Sequence, residues 1–520
     1  MIVNRLEKIF VTSDAATILQ EVEVVHPAAK LLVMASQQQE AEVGDGTNQV
    51  VVFGSELLQK AEYLLRMGLH PSEIAQGYEK ALEKAVEYLE GLETERITDV
   101  KDKKQIMGVV ETAIGAKEYE NRELLAKLVA EAVVAVMPKK SEQFNVDNIR
   151  VVKIMGGSME QSVAMQGMVM DREPESDIRY VKDVKLAIFS CPFDVGATET
   201  KGTVVLHNAD ELLNYTKGEE REMEKVVEEL KAAGVNAVAC GAGLGDLALH
   251  YLDQEGILAV KVPSKFELRR LCRLAGGHAL ARLGAPTLEE MGYVDEIRVE
   301  EIGGDRVTVA RNYPDSEKAR AVVSTIVLRG ATQNLLDDLE RAVDDGVNVV
   351  KALTKDSRLV AGAGAIEMEL HRVIGQLADS TSGTSQYAIR KFAEALEVFP
   401  RTIAENCGLD PTDTVAKLVA AHHQDRDADT GAGINVEYND QVIDQNYYLH
   451  HQTGEQEHNE QNEGEQKASV LLDARKAGIV EPLAVKLWGL RHAVHAALTV
   501  LQVDQIIMAK KAGGPKVNPK

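Results

Sequence analysis

Aromatic residues are scarce in this 520-residue sequence: Phe, Trp and Tyr make up 4% of it, and tryptophan occurs once, at Trp488. Its core must therefore rest on Ala, Val, Leu and Ile. Cysteine is also rare. Cys191, Cys240, Cys272 and Cys407 are scattered, with no CxxC pair. That excludes a disulfide framework and a structural zinc site of the usual spacing, and it fits a reducing compartment. No uninterrupted apolar run reaches the roughly 18 residues of a membrane span, and the opening MIVNRLEKIFVTSD has no apolar stretch of signal-peptide type. Positive charge is in deficit, 58 Lys and Arg against 82 Asp and Glu, for a net charge of -24. A nucleic-acid partner, which needs a basic footprint, is not expected, nor is docking on an anionic membrane. The charge serves solubility, and the expected location is cytoplasmic.

What the sequence does have is length and periodicity. The chain is too long for one hydrophobic core, so two to four domains are expected. Its first hundred residues read as helices: VHPAAKLLVMASQQQEAEV starts on Pro27, NQVVVFGSELLQKAEYLLRMG ends at Gly68, and HPSEIAQGYEKALEKAVEYLEGL keeps Ile74, Tyr78, Ala81, Leu82, Ala85 and Leu89 on one face. The middle alternates. KLAIFSCP, VNAVACG and ILAVKV are strand-like, while MEKVVEELKAAG, LGDLALHYLDQEG and KFELRRLCRLAGG are helical, which predicts an α/β layer with partly parallel pairing that ends near STIVLRG at 324–330. Helical spacing returns from NLLDDLERAVDDGVNVVKALT onward. The economical arrangement packs the two helical ends together with the α/β unit inserted between them. Residues 421–467, rich in Gln, Glu and Asn, predict a polar, flexible surface insertion. Five of the 13 histidines fall there, His422, His423, His450, His451 and His458, and a solvated loop explains them better than a metal site.

Chemistry is expected where short glycine turns meet acids. Gly44-Asp45-Gly46-Thr47 opens a helix; N–H groups there suit phosphate, and an adjacent Asp suits Mg²⁺ shared with phosphate oxygens. By itself the motif is more often a plain turn. Gly362-Ala363-Gly364 also precedes a helix and offers a close backbone approach. Gly241-Ala242-Gly243-Leu244-Gly245 imitates a dinucleotide fingerprint, but Asp246 stands where the third glycine belongs, and ILAVKV carries no ribose-binding acid at its end. Asp344 and Asp345 lie mid-helix, where charge is ordinarily solvated, and Asp14 sits in a turn that an Asp ordinarily caps.

Taken together, VTSDAATI, VEVVHPAAKLL, GDGTN, STIVLRG, ERAVDDG, LVAGAGAIE, FPRTIAENCGLDP, EPLAVK and VDQII fall in an order and spacing that resembles the group II chaperonins, from end to end apart from 421–467. The resemblance implies an α+β multidomain chaperonin fold. A mostly helical equatorial ATP-binding domain would comprise 1–100 and 367–520, a small intermediate hinge domain 101–184 and 325–366, and a central α/β apical client-binding and lid domain 185–324. It implies ATP and Mg²⁺ as cofactors, partner subunits in a double ring of eight, and non-native proteins as clients. Asp45 then resembles the Mg²⁺ ligand, with Gly44, Gly46, Thr47 and Asn48 around the phosphates. Asp14 and Asp345 resemble the pair that activates water, Gly362 and Gly364 the ribose-side loop, Glu481 the acid that meets the nucleoside, and Lys117 a phosphate-sensing lysine. The 265–277 helix resembles the one lining the client groove, with Arg269, Arg270 and Arg273 as polar contacts and Phe266 and Leu268 as apolar ones, although packing in the apical core accounts for the apolar positions at least as well. Three departures bear on activity. Family members carry a GPKG-type phosphate loop before the first strand, and this sequence begins just after that position, so either the chain is truncated or nucleotide binds without the loop. Ala363 adds a methyl within the glycine triplet, and Asn48 replaces a second Thr. These departures open the alternative of a structural ring subunit with weak hydrolysis.

Overall fold

A computed structural model describes residues 1–4, 7–92, 95–194, 209–313, 323–424, 431–437 and 469–507. The chain divides into two compact units, Met1–Thr98 with Lys355–Lys520, and Asp99–Thr354. Among the described residues no helix is long and apolar enough to cross a membrane.

The first unit is helical. After an antiparallel hairpin, Ile2–Val3 with Ile9–Phe10, it contains helices Ala15–Glu21, Pro27–Glu42, Thr47–Arg66 and Pro71–Gly91 from the first hundred residues. The later part of the chain adds Ala365–Ser380, Ser385–Leu396, Val398–Asn406, Pro411–Gln424 and Leu483–Leu501. Local sequence explains the starts. Pro27 and Pro71 occupy first turns, where their missing N–H is no loss. His70 and Glu73 close a reciprocal capping box at the head of the second of these helices. Its predicted face, Ile74, Tyr78, Ala81, Leu82, Ala85 and Leu89, is buried throughout. One core joins residues from both ends of the chain. Phe53 and Tyr78 meet Phe392 edge-on, with ring centroids 5.4 and 5.8 Å apart, and the Tyr78 hydroxyl donates to the Leu57 carbonyl at 3.0 Å.

Among the described residues, the second unit is built on two sheets. The larger has seven strands in the order Met168–Met170, Asp305–Arg311, Gly292–Ile302, Tyr180–Phe189, Ala237–Cys240 and Leu258–Lys261, with Ala279–Leu280 also beside Tyr180–Phe189. Pairing is parallel from Tyr180–Phe189 to Ala237–Cys240 and on to Leu258–Lys261, and antiparallel on the other side. Both faces are apolar, following the two-residue period of a strand. Leu186 and Ile188 pack with Leu271 and Leu274, while Ala187 and Phe189 pack with Val227 and Leu252. Ser324–Gly330, read from sequence as the end of this layer, instead lies in a separate three-stranded sheet, parallel to Ile149–Met155 and antiparallel to Val163–Gln166. Helices Lys103–Gly115, Arg122–Val136 and Gln333–Lys355 share its core.

Two expectations need correction. Part of 421–467 is ordered structure: Pro411–Gln424 is helical, His422 is buried, and Ala432–Ile434 pairs with Leu471–Asp473. Residues 425–430 and 438–468, with His450, His451 and His458, lie outside the described residues. In the 265–277 stretch, of the two readings open for the apolar positions, Leu268 takes core packing while Phe266 is exposed. Arg270 donates to the Asp147 carbonyl at 2.9 Å and Arg273 to Asn148 Oδ1 at 3.1 Å, so both are engaged within their own unit.

Helix Pro71–Gly91 approaches Ser385–Leu396 so closely at Gly77 that an added Cβ would collide with the Ala388 methyl. Alanine gains about 1 kcal/mol over glycine inside a helix, but overpacking costs roughly 1–3 kcal/mol. Gly77→Ala should therefore lower the urea midpoint of the helical unit. A midpoint above wild type would mean that the two helices part without cost.

Candidate functional site

Two glycine turns face the helical unit's last helix and the strand before it. In the first, Gly44 and Gly46 hold φ of 81° and 75°, left-handed values that glycine adopts at little cost. Gly46 is the N-cap of Thr47–Arg66 and supplies no side-chain cap. The N-terminus of this 20-residue helix, the positive end of its dipole, thus carries no N-cap side chain. Asp45 stands beside them, half-buried, and its Oδ1 accepts the Gly46 N–H at 2.6 Å. The turn is fixed from below. Gln39 Nε2 donates to the Asp45 carbonyl at 2.9 Å and lies 3.3 Å from the Val485 carbonyl, and Ser36 Oγ donates to the Thr47 carbonyl at 3.0 Å. Thr47 is buried, while Asn48 is exposed and turns its Oδ1 to the Gln49 N–H at 2.9 Å.

The second turn repeats this design. Gly364, at φ 82°, is the N-cap of Ala365–Ser380, again without a side-chain cap. Gly362 donates its N–H to the Ile479 carbonyl at 3.0 Å, and a Cβ placed on it would come 3.0 Å from Glu481 Oε1. Glu481 lies on Val480–Pro482, antiparallel to Leu359–Ala361, so this turn belongs to the helical unit. Ala363 is left-handed too, at φ 56°. Its carbonyl accepts the Ile434 N–H at 3.0 Å, and its methyl faces Gly433, where any side chain would crowd it. The methyl expected to stand toward a ligand therefore packs against the protein.

A buried lysine links the two turns. Lys486, in the first turn of Leu483–Leu501, places Nζ 2.7 Å from Glu367 Oε1 and 2.8 Å from Glu481 Oε2. Burial opposes its charge, but the two carboxylates outweigh that and raise its pKa above the ordinary lysine value. Its neighbour Val485 packs on Gly46. Asp45, Gln39, Lys486, Glu481 and Gly362 are therefore joined by an unbroken series of contacts. Sequence reading picked out EPLAVK and LVAGAGAIE but assigned no role to Lys486 or Glu367 within them, and it gave Gln39 no role.

Below the second turn sits buried Glu369. Tyr88 donates to its Oε1 at 3.0 Å, Arg372 forks onto it, and His422 Nδ1 lies 3.3 Å from Oε2. His422 Nε2 lies 2.9 Å from the Ala432 carbonyl. Burial opposes ionisation of Glu369, but these hydrogen bonds outweigh it and lower the pKa from 4.5 to about 2.

Asp14 caps Ala15–Glu21, accepting from Thr17 N at 2.9 Å and Thr17 Oγ1 at 2.6 Å, and is buried. Asp345 and Lys117 belong to the other unit, where they form an ion pair between Gln333–Lys355 and the end of Lys103–Gly115. Sequence reading gave each a role without pairing them. The fingerprint-like turn at 241–245 is closed by the protein itself: Gly243 accepts from Phe193 N at 2.9 Å, Gly245 donates to the Phe193 carbonyl at 3.0 Å, and the Asp194 carboxylate fills the space beside Gly245. Among the described residues no group of three His, Cys, Asp or Glu is placed to hold a metal.

The TCP-1/cpn60 chaperonin family model matches residues 1–511. The chain is 50% identical over 516 residues to a Schizosaccharomyces pombe protein named probable T-complex protein 1 subunit theta, covering 99% of this chain and 88% of that one. It is 47% identical over 526 residues to T-complex protein 1 subunit theta of Saccharomyces cerevisiae and 46% over 516 residues to that of Homo sapiens, with the same coverage.

Removing one member of a buried ion pair costs roughly 3–5 kcal/mol, because its partner is left charged in the interior. Lys486→Met should show that loss in denaturant titration, and Glu367→Gln/Lys486→Met should recover much of it. Glu369 yields a pH prediction. Its depressed pKa contributes stability above pH 4.5 that is lost as pH falls toward 2. Glu369→Gln should therefore lose about 3 kcal/mol at pH 7 and unfold with a flatter pH profile between 4.5 and 2, checked by urea titrations across that range.

Proposed function

The chain belongs to the TCP-1/cpn60 chaperonin family, and we propose that it works as the theta-type subunit of a group II chaperonin, a hetero-oligomer that folds non-native proteins at the expense of ATP. The observation that carries the nucleotide assignment is the pair of uncapped helix N-termini, at Gly46 and Gly364, tied together through Gln39 and Lys486. Two such termini and a single adjacent carboxylate, Asp45, suit a phosphate chain carrying Mg²⁺. That ion keeps most of its shell as water and phosphate oxygen and needs only one or two protein carboxylates. Bound Mg·ATP supplies the phosphoryl group and the charge neutralisation of its transfer.

The protein's share is positioning. Gly44, Gly46, Thr47 and Asn48 surround the phosphates: the glycines shape the turn, their own N–H groups held by the Gln39 carbonyl and Asp45 Oδ1, while the helix-opening N–H groups of Thr47 and Asn48 serve phosphate. Gly362 and Gly364 let the backbone approach the ribose side, and Glu481 accepts a hydrogen bond from the nucleoside. Asp14 and Asp345 orient the attacking water. Lys117, ion-paired with Asp345 in the second unit, is the lysine that senses the terminal phosphate. A second reading, a ring member that hydrolyses little, draws support from the ion pair that occupies Asp345. The finer assembly proposed is two rings of eight subunits. The apical part of Asp99–Thr354 would serve clients, and the location would be a reducing cytoplasm, consistent with four free cysteines.

Tagged chain expressed in a eukaryotic cytosol should sediment at about 900 kDa, near sixteen chains of 56.7 kDa. Asp345→Ala should lower the ATPase rate of that complex while nucleotide still binds. An unchanged rate would select the second reading, and a species near 56.7 kDa would overturn the assembly.

A further inference from the structure

Glu367, Lys486 and Glu481 do more than neutralise one another. The triad holds two carboxylates and one ammonium, so it carries an excess negative charge. Glu367 is buried in the first turn of Ala365–Ser380, and its Oε2 has no hydrogen-bond donor among the described residues. Lys486 is therefore its counter-charge, through Oε1 at 2.7 Å. If neutralising Glu367 were the lysine's whole task, the triad would be complete without Glu481. Yet Nζ also holds Glu481 Oε2 at 2.8 Å, on a different strand, and that side chain stays 25% exposed. Its other oxygen, Oε1, lies at the Gly362 turn. A carboxylate gripped through one oxygen presents the other at a fixed place as a pure acceptor. Such an acceptor reads a hydroxyl or amino donor and repels phosphate.

We propose that Lys486 is the positioning residue for the nucleoside end of the site: it holds Glu481 so that Oε1 accepts a hydrogen bond from a ribose hydroxyl or base amino group at the Gly362 turn. This rests on the nucleotide reading above and adds to it the means by which the carboxylate is aimed. Because Glu367 opens the helix that follows the glycine triplet, the same lysine also sets the separation between that helix and the strand bearing Glu481.

The test is photolabelling of this chain by 8-azido-ATP in the assembled complex, with protection by ATP, 2′-deoxy-ATP and inosine triphosphate. Wild type should label, and Asp45→Ala should label poorly. Glu367→Gln/Lys486→Met removes both buried charges together, so it should keep a thermal midpoint near wild type. It should nevertheless need roughly 10- to 100-fold more ATP for protection. Its loss should be smaller toward whichever analogue lacks the donor that Glu481 reads, 2′-deoxy-ATP for a ribose contact or inosine triphosphate for a base contact. In a Glu481→Ala background the same pair of changes should add no further loss. If the double variant is protected by ATP as wild type is, or adds a full further loss in the Glu481→Ala background, Lys486 is a structural counter-charge and the proposal is overturned. A wild-type chain that does not label at all, or an Asp45→Ala chain that labels as well as wild type, would instead overturn the nucleotide reading beneath it.

Discussion

Both glycine turns of the helical unit depend on the docking of one helix. Leu483–Leu501 packs against Pro27–Glu42 and Thr47–Arg66, and its first turn carries Val485 onto Gly46 and Lys486 between two glutamates. Neither glycine turn is complete without it. Residues more than 430 positions apart must therefore meet before the turns are complete, as the 446-residue separation of Gln39 and Val485 shows. Such non-local closure is slow relative to local helix formation. It also makes site assembly inseparable from burial of the shared core around Phe53, Tyr78 and Phe392.

Charge sets the second constraint. The chain is strongly acidic overall, yet in the helical unit its buried carboxylates are each answered by a cation or a hydrogen-bond cluster: Glu367 by Lys486, and Glu369 by Arg372, Tyr88 and His422. Both lie in the first turns of the helix that follows Gly364. A carboxylate near a helix N-terminus is favoured by the dipole, so these acids help to hold that helix end in place. Of the acids proposed to act on a ligand, Asp45 and Glu481 are the more exposed, whereas Asp14 is buried and held by Thr17. At the two turns themselves, burial separates the carboxylates that support a turn from the one that stands beside it.

Much of this was legible in sequence because it is local. The apolar face of Pro71–Gly91 follows from its 3.6-residue period, and the Gly44–Gly46 turn followed from two glycines around an aspartate ahead of a helical run. What was not legible is pairing across distance. Nothing near Ser324–Gly330 shows that its parallel partner is Ile149–Met155 rather than the large sheet. Lys117 and Asp345 were each singled out, but their contact joins helices more than 200 residues apart. Composition misled at 421–467. Averaged over the whole stretch it reads as solvated, yet His422 is buried on Glu369, and Ala432–Ile434 is a strand.

That strand explains why the glycine triplet tolerates an alanine. A left-handed residue with a side chain costs about 1–2 kcal/mol and persists where its surroundings over-determine it. At Ala363 they do. Ile434 donates to its carbonyl, and Gly433 leaves room for the methyl. The His422–Ala432 contact fixes where the strand begins. A larger residue at 433 would meet both the Ala363 methyl and its carbonyl, so the small residue at 433 and the alanine at 363 are one solution rather than two accidents. Strain in the turn is balanced by a strand that composition alone assigned to a loop, and the turn's conformation is therefore set by residues that need not touch the ligand.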